Sequence, residues 1–274
     1  ILSSSVVHIT ESFASGSHIF GDSMDDTHQF TGSLLITGSI NLGPENTLGN
    51  SAYSQTIGRL NHVNGNNALA QGYLNSASNA SSHAEGRETK TTGVYSHAEG
   101  YQTTATNNGS HAEGSNTLAS GQFSHAEGYL TTASVLGSHT EGHLTYITQD
   151  YGHAEGYQTH VVDDTSPSSY GHAEGYITIV SGSAAHAEGA HTLARGFGSH
   201  AEGSASKALG GYSHAQGVFT TALKQGSFSG GYQTLASHSY SFTHGYQLTS
   251  SATYQTTLGE FNGNISGGTK TVFQ

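Results

Sequence analysis

The sequence has no cysteine, which excludes disulfides and cysteinyl metal sites. Charged residues make up only 9% of its 274 positions, so disorder driven by high charge does not fit. Cationic residues are scarcest, seven Lys and Arg against 19 Asp and Glu. The resulting net charge of −12 argues against nucleic acid or an anionic membrane surface as partner. At 33%, hydrophobic content is low for a large packed core. No apolar run approaches the roughly 18 residues of a membrane-spanning helix, and no signal peptide is recognisable, so membrane insertion is not expected. The chain starts at Ile1 rather than Met and is expected to be a piece of something longer.

What is present is a repeat. His-Ala-Glu-Gly begins at His83, His97, His111, His125, His153, His172, His186 and His200, with near-copies at His139 (His-Thr-Glu-Gly) and His214 (His-Ala-Gln-Gly). The closing glycines keep a period of 14 residues from Gly58 to Gly156 and again from Gly175 to Gly259, 15 glycines in register. One interval, Gly156 to Gly175, is five residues longer. A short fixed period means stacked identical units, none able to bury its own face alone. The unit reads Ser-His-Ala-Glu-Gly-x-x-Thr-x-Ala-x-Gly-x-x, two short extended pieces separated by glycine-containing turns. A helix needs about ten residues free of such breaks, and the unit offers none. The fold class is therefore all-β, a parallel β-solenoid of 14-residue coils. Its rise of about 4.8 Å per coil gives a rod roughly 70 Å long.

Three segments follow. Residues 1–57 carry the period weakly; apolar runs at 6–9 and 34–36 suggest short strands, and the segment reads as an N-terminal connector or cap. Residues 58–259 form the repeat array. Residues 260–274 abandon the motif and read as a C-terminal extension. The five extra residues lie in the stretch containing Asp163, Asp164, Thr165, Ser166 and Pro167, which must leave the stack as a loop, either neutral or a lateral contact through Asp163 and Asp164.

The 14-residue unit resembles the head repeat of YadA-type trimeric autotransporter adhesins. Its Ser-His-Ala-Glu-Gly variant is most similar to repeats of phage tail-fibre and tail-appendage proteins. Residues 19–22 and 25–33 (Ile-Phe-Gly-Asp and Asp-Asp-Thr-His-Gln-Phe-Thr-Gly-Ser) also resemble phage tail-fibre segments. The resemblance implies a left-handed parallel β-roll packed as a homotrimer. It further implies a fibre on a virion, joined to the rest of the tail fibre or baseplate and meeting a host cell-surface receptor, a glycan among the candidates. The alternative is the head of an adhesin on a bacterial cell surface. The adhesin head has apolar residues where this chain has His and Glu, so that face cannot be carried over.

Residues two apart in a strand share a face. Each unit therefore turns its His and Glu one way and its Ala the other: His83 with Glu85, His97 with Glu99, His111 with Glu113, His125 with Glu127, His139 with Glu141, His153 with Glu155, His172 with Glu174, His186 with Glu188, His200 with Glu202, and His214 with Gln216. Three readings compete. One is a structural polar ladder within and between chains, in keeping with the joint loss of both residues at Phe228/Gly230. A second is a transition ion held by N and O donors on a trimer axis, the one cofactor that the residues suggest. The third is a surface column contacting receptor. Ten stacked histidines are expected to lose stability cooperatively below about pH 5. The repetition argues against catalysis, since an enzyme needs one distinctive site, and no catalytic residues are assigned.

Tyr73, Tyr101, Tyr129, Tyr157, Tyr176, Tyr232 and Tyr246 follow the repeat glycines, and Tyr95, Phe123, Tyr151, Tyr170 and Tyr212 precede Ser-His or Gly-His. Both sets fall near turns. They either shield coil edges and knit a trimer or form a sugar- or protein-binding stripe. A Thr column (Thr89, Thr103, Thr117, Thr131, Thr145, Thr159, Thr178, Thr192, Thr220, Thr234) is expected to form a supporting hydroxyl ladder. Ice binding by it is disfavoured, because the partner position is mostly Ala.

Overall fold

The computed structural model describes residues 35–49, 51–162 and 170–260. The chain divides into two units, 1–36 and 37–274. In the second, two parallel sheets run the length of the repeat: 16 five-residue or shorter strands in one, 15 two-residue strands in the other, each strand hydrogen-bonded to the strand one coil away. This is a parallel β-solenoid, and no described residue is helical. Identical residues pair across coils. His111 lies between His97 and His125, Ala112 between Ala98 and Ala126, and Glu113 between Glu99 and Glu127.

One coil shows how the repeat builds itself. His111–Ser115 forms the long strand and Leu118–Ala119 the short one. Three left-handed residues turn the chain: Gly114 (φ 105°), Asn116 (φ 56°) and Phe123 (φ 55°). The glycine is required. A Cβ on Gly114 would stand 2.1 Å from the carbonyl oxygen of Gly128, and the same contact recurs along the glycine column. The corners stay paired too, since the Asn116 N–H donates to the Tyr101 carbonyl (2.9 Å) and the Phe123 N–H to that of Asn108 (3.0 Å). Ser124, fully buried, donates its hydroxyl to the Gly121 carbonyl (2.7 Å), and Ser82, Ser96, Ser110 and Ser138 make the same turn bond before their histidines.

The interior is thin. Ala98, Ala105, Ala112, Ala119 and their equivalents are fully buried between the sheets. Where Ile147, Val161 and Val180 replace Ala, Gly152 and Gly171 replace Ser or Ala; a Cβ on Gly171 would lie 2.7 Å from Val161 and 2.9 Å from Val180. The missing side chains at Gly152 and Gly171 make room for the larger Ile147, Val161 and Val180.

Several expectations need correction. The ladder begins at Ile40–Leu42, not at Gly58, so one coil lies inside the segment read as connector. Gly43 stacks on Gly58 at a spacing one residue longer than the period, which hid it. Of the apolar run 34–36, the described Leu35 and Ile36 are exposed and outside any strand; the run 6–9 lies outside the described residues. Register passes unbroken across the insertion, His153 to His172 and Val161 to Val180. Asp163 and Asp164 lie outside the described residues. The Thr column points inward and is buried, which removes the basis for an ice-binding array. Nor is it a continuous hydroxyl ladder. Thr103, Thr117, Thr131, Thr145, Thr159, Thr178 and Thr192 have no partner for the hydroxyl. Only near its ends are hydroxyls bonded, as from Thr89 to Asn75 and from Thr220 to Ser206, both 2.9 Å. Before Thr89 the column is asparagine: Asn75 donates to the carbonyls of Gln71 and Gly86 and accepts from the Thr89 N–H, tying two coils together.

Candidate functional site

The outer face of the long sheet carries the His–Glu pairs. In-register pairing at the coil spacing puts each imidazole over the next. All ten rings from His83 to His214 stack at centroid separations of 4.6–4.9 Å, with interplanar angles of 3–24°. The column then continues in apolar rings. His214 meets Phe228 edge-on at 5.2 Å, and Phe228 stacks on Phe242 at 4.6 Å. The phenylalanine pair stacks at the same spacing as the histidine pairs, while the ring plane turns at the one His–Phe junction.

Within a coil, His Nε2 and Glu Oε2 stand 3.5 Å apart in the His83–Glu85 pair. They stand 3.9–4.0 Å apart in the pairs His97–Glu99, His111–Glu113, His125–Glu127, His153–Glu155 and His186–Glu188. His214 turns instead to Glu202 of the preceding coil, at 3.7 Å. None of these Nε2 atoms has a hydrogen-bond partner, and the separations become ion pairs only if the imidazole is protonated. Within one chain the expected hydrogen-bonded ladder is therefore a stack of rings flanked by a line of carboxylates. His139, Glu141, His172, Glu174 and His200 occupy the same columns. In all ten histidines Nε2 is shielded from solvent and has no hydrogen-bond partner, although the side chains remain about a third exposed.

Burial pushes the His125 imidazole down to about 4, helped by repulsion from His111 and His139. Burial likewise lowers His97, His111, His153, His186 and His214, with neighbouring histidines adding to the effect and nearby glutamates opposing it. Burial therefore favours the neutral imidazole at these six positions.

The Tyr set after the glycines forms a second, more exposed line. Tyr157 stacks on Tyr176 at 5.2 Å and Tyr232 on Tyr246 at 5.1 Å, and His143 meets Tyr129 and Tyr157 edge-on. Arg87 sits between Tyr73 and Tyr101, its guanidinium carbon 5.7 and 5.5 Å from their centroids. This cation–π sandwich was not anticipated. Ser115, Ala190, Ser204 and Val218 interrupt the line, so Tyr101 has no aromatic neighbour on the side away from Arg87.

A third line lies on the corner before Ser-His. Here the sequence reading missed an alternation. Tyr95, Gly109, Phe123, Gly137 and Tyr151 succeed one another, and each added Cβ on Gly109 or Gly137 would lie 2.7 Å from the ring one coil on. Gly198 and Gly226 relate in the same way to Tyr212 and Tyr240. The signal was legible as a 28-residue spacing of aromatics with glycine between from Tyr95 to Tyr151 and from Tyr212 to Tyr240, while Tyr151 stacks directly on Tyr170 and Tyr240 on Tyr254. These aromatics hold left-handed backbone, a strained state for bulky residues, yet Tyr95 is 73% and Phe123 64% exposed. Replacing Gly109 by Ala is expected to displace the Phe123 ring and lower stability by about 1 kcal/mol, the cost of left-handed backbone. Chemical denaturation with near-ultraviolet dichroism measures both; an unmoved aromatic signal contradicts the ring-over-glycine contact.

Beside the insertion the repeat opens a shallow groove of about 420 Å³, lined among others by Leu130, Leu144, Tyr146, His160, Ile177 and Ile179. Compared with known proteins, the chain matches no family model and no curated protein.

Proposed function

We propose that this chain is a rod segment of a homotrimeric fibre, structural and adhesive in role and without catalytic activity, most similar in kind to a phage tail fibre on the virion. The observation that supports it best is the distribution of chemistry. The same His, Glu and aromatic groups recur coil after coil on the solenoid surface, and they form long lines rather than one site. Such lines suit self-association along a rod and many weak contacts to a host surface or glycan, strengthened by avidity. The strained, exposed aromatics are the residues best placed for those contacts. A bacterial trimeric adhesin head is the alternative. It is distinguished by the sequence flanking this chain, a membrane β-barrel for an adhesin and a baseplate-binding region for a phage.

The test is the solution mass of the purified chain by multi-angle light scattering at neutral pH. Three chains per particle is the expected result. A monomer at micromolar concentration overturns the trimer and leaves a lone solenoid with a binding surface.

A further inference from the structure

We propose that the His–Glu face binds divalent transition ions within a single chain, with His111, Glu113 and His125 as the ligands of one site. The site spans two successive coils. Its three donors, two imidazole nitrogens and a carboxylate oxygen, lie within 4.8 Å of one another. Three similar groups occur among the described residues: one formed by His125 with Glu127 and His139, one by His172, Glu174 and His186, and one by Glu188, His200 and Glu202.

Three features of the face favour an ion. First, the His111 and His125 Nε2 atoms are shielded from water yet bond to nothing, a state that buried polar atoms rarely keep. Second, the His111–Glu113 separation of 3.9 Å is too long for a hydrogen bond. A tetrahedral ion with bonds of about 2.0–2.2 Å holds its donors roughly 3.4 Å apart, so these two atoms need close by only about half an ångström to share one. Third, the face is open on one side: the His111 and Glu113 side chains are 36% and 46% exposed, so an ion can reach them from solvent. Imidazole with carboxylate and no thiolate selects Zn²⁺, Co²⁺ or Ni²⁺. Calcium wants six to eight oxygens, which this face does not assemble.

Stoichiometry follows from the overlap. Two of the four groups share His125 and cannot be filled together, so the described residues hold three ions at once. The inference does not depend on the trimer, since every donor of a site comes from one chain.

The experiment is a Co²⁺ titration of the full chain, freed of any histidine tag and stripped with chelator. Visible absorption and calorimetry are read together, and the solution mass is taken alongside. Three ions per chain are expected. The double variant His111→Phe/His125→Phe disables both groups that need His125 and is expected to bind two. Its fold is expected to persist, because Phe228 and Phe242 already stack in this column at 4.6 Å. Glu188→Gln/Glu202→Gln leaves the ring stack untouched and is also expected to bind two, which keeps the test decisive if the first variant fails to fold. The proposal is overturned by no binding at millimolar Co²⁺ or by stoichiometry unchanged in a folded variant. One ion shared among three chains, the mark of an axial site, overturns it equally.

Discussion

Replacing Gly128 by Ala is expected to lower the stability of the solenoid by about 4 kcal/mol, roughly half from backbone strain and half from overpacking. Gly128 has φ 108°, a region that side chains disfavour, and its Cβ would stand 2.1 Å from the carbonyl oxygen of Gly142 and 3.0 Å from its nitrogen. The obstacle is backbone already committed to the sheet ladder, so it cannot swing aside as the Phe123 ring can for Gly109. Each coil touches only its neighbours, so the damage is local in origin, yet it divides the stack into two shorter arrays. Urea denaturation is expected to show a lower midpoint and a second transition. A variant within 1 kcal/mol of the parent, melting in one step, would mean that the glycine column is not what sets coil spacing.

Acid is expected to weaken the fold from near pH 6.5 downward. An imidazole held below its ordinary value by burial stays neutral when folded but takes a proton readily when unfolded. As pH falls through the unfolded value of about 6.5, the unfolded state gains protons first and stability drops. The loss continues to about pH 4, where folded His125 also protonates. His97, His111, His153, His186 and His214 shift in the same direction and add to the slope. The onset is higher than the pH 5 expected from the sequence, because burial and ring–ring repulsion act on histidine before any carboxylate protonates. Thermal melts in metal-free buffer are expected to be level from pH 8 to 7 and to fall steeply between 6.5 and 4. Equal melting temperatures at pH 8 and pH 4 would refute the lowering of these six imidazoles by burial. His125→Phe is expected to keep the fold and to flatten the slope, as the Phe228–Phe242 pair stacks without a titrating group.

Much of the architecture was legible before any coordinates, because a 14-residue period leaves the backbone little choice. Glycine at every fourteenth position, Ala alternating with His and Glu, and no helix-length stretch free of breaks determine a parallel stack with an alanine interior and a His–Glu outer face. Periodicity is a local property, and in-register pairing turns it directly into columns. What periodicity does not carry is the environment of a column. Thr103 and Thr104 are adjacent hydroxyls in the sequence; only the turn at Gln102 decides that Thr103 enters the core with its hydroxyl unpaired while Thr104 faces outward, partly exposed. The first coil at Ile40–Leu42 was invisible because its glycine sits one residue out of phase, a shift that the turn absorbs. The 14-residue period settles which residues stack, and the packed coils settle how closely. The coil rise brings imidazoles to 4.6–4.9 Å. Side-chain reach leaves most of the His–Glu pairs near 3.9 Å, so the backbone ladder aligns the rings and His–Glu hydrogen bonds do not.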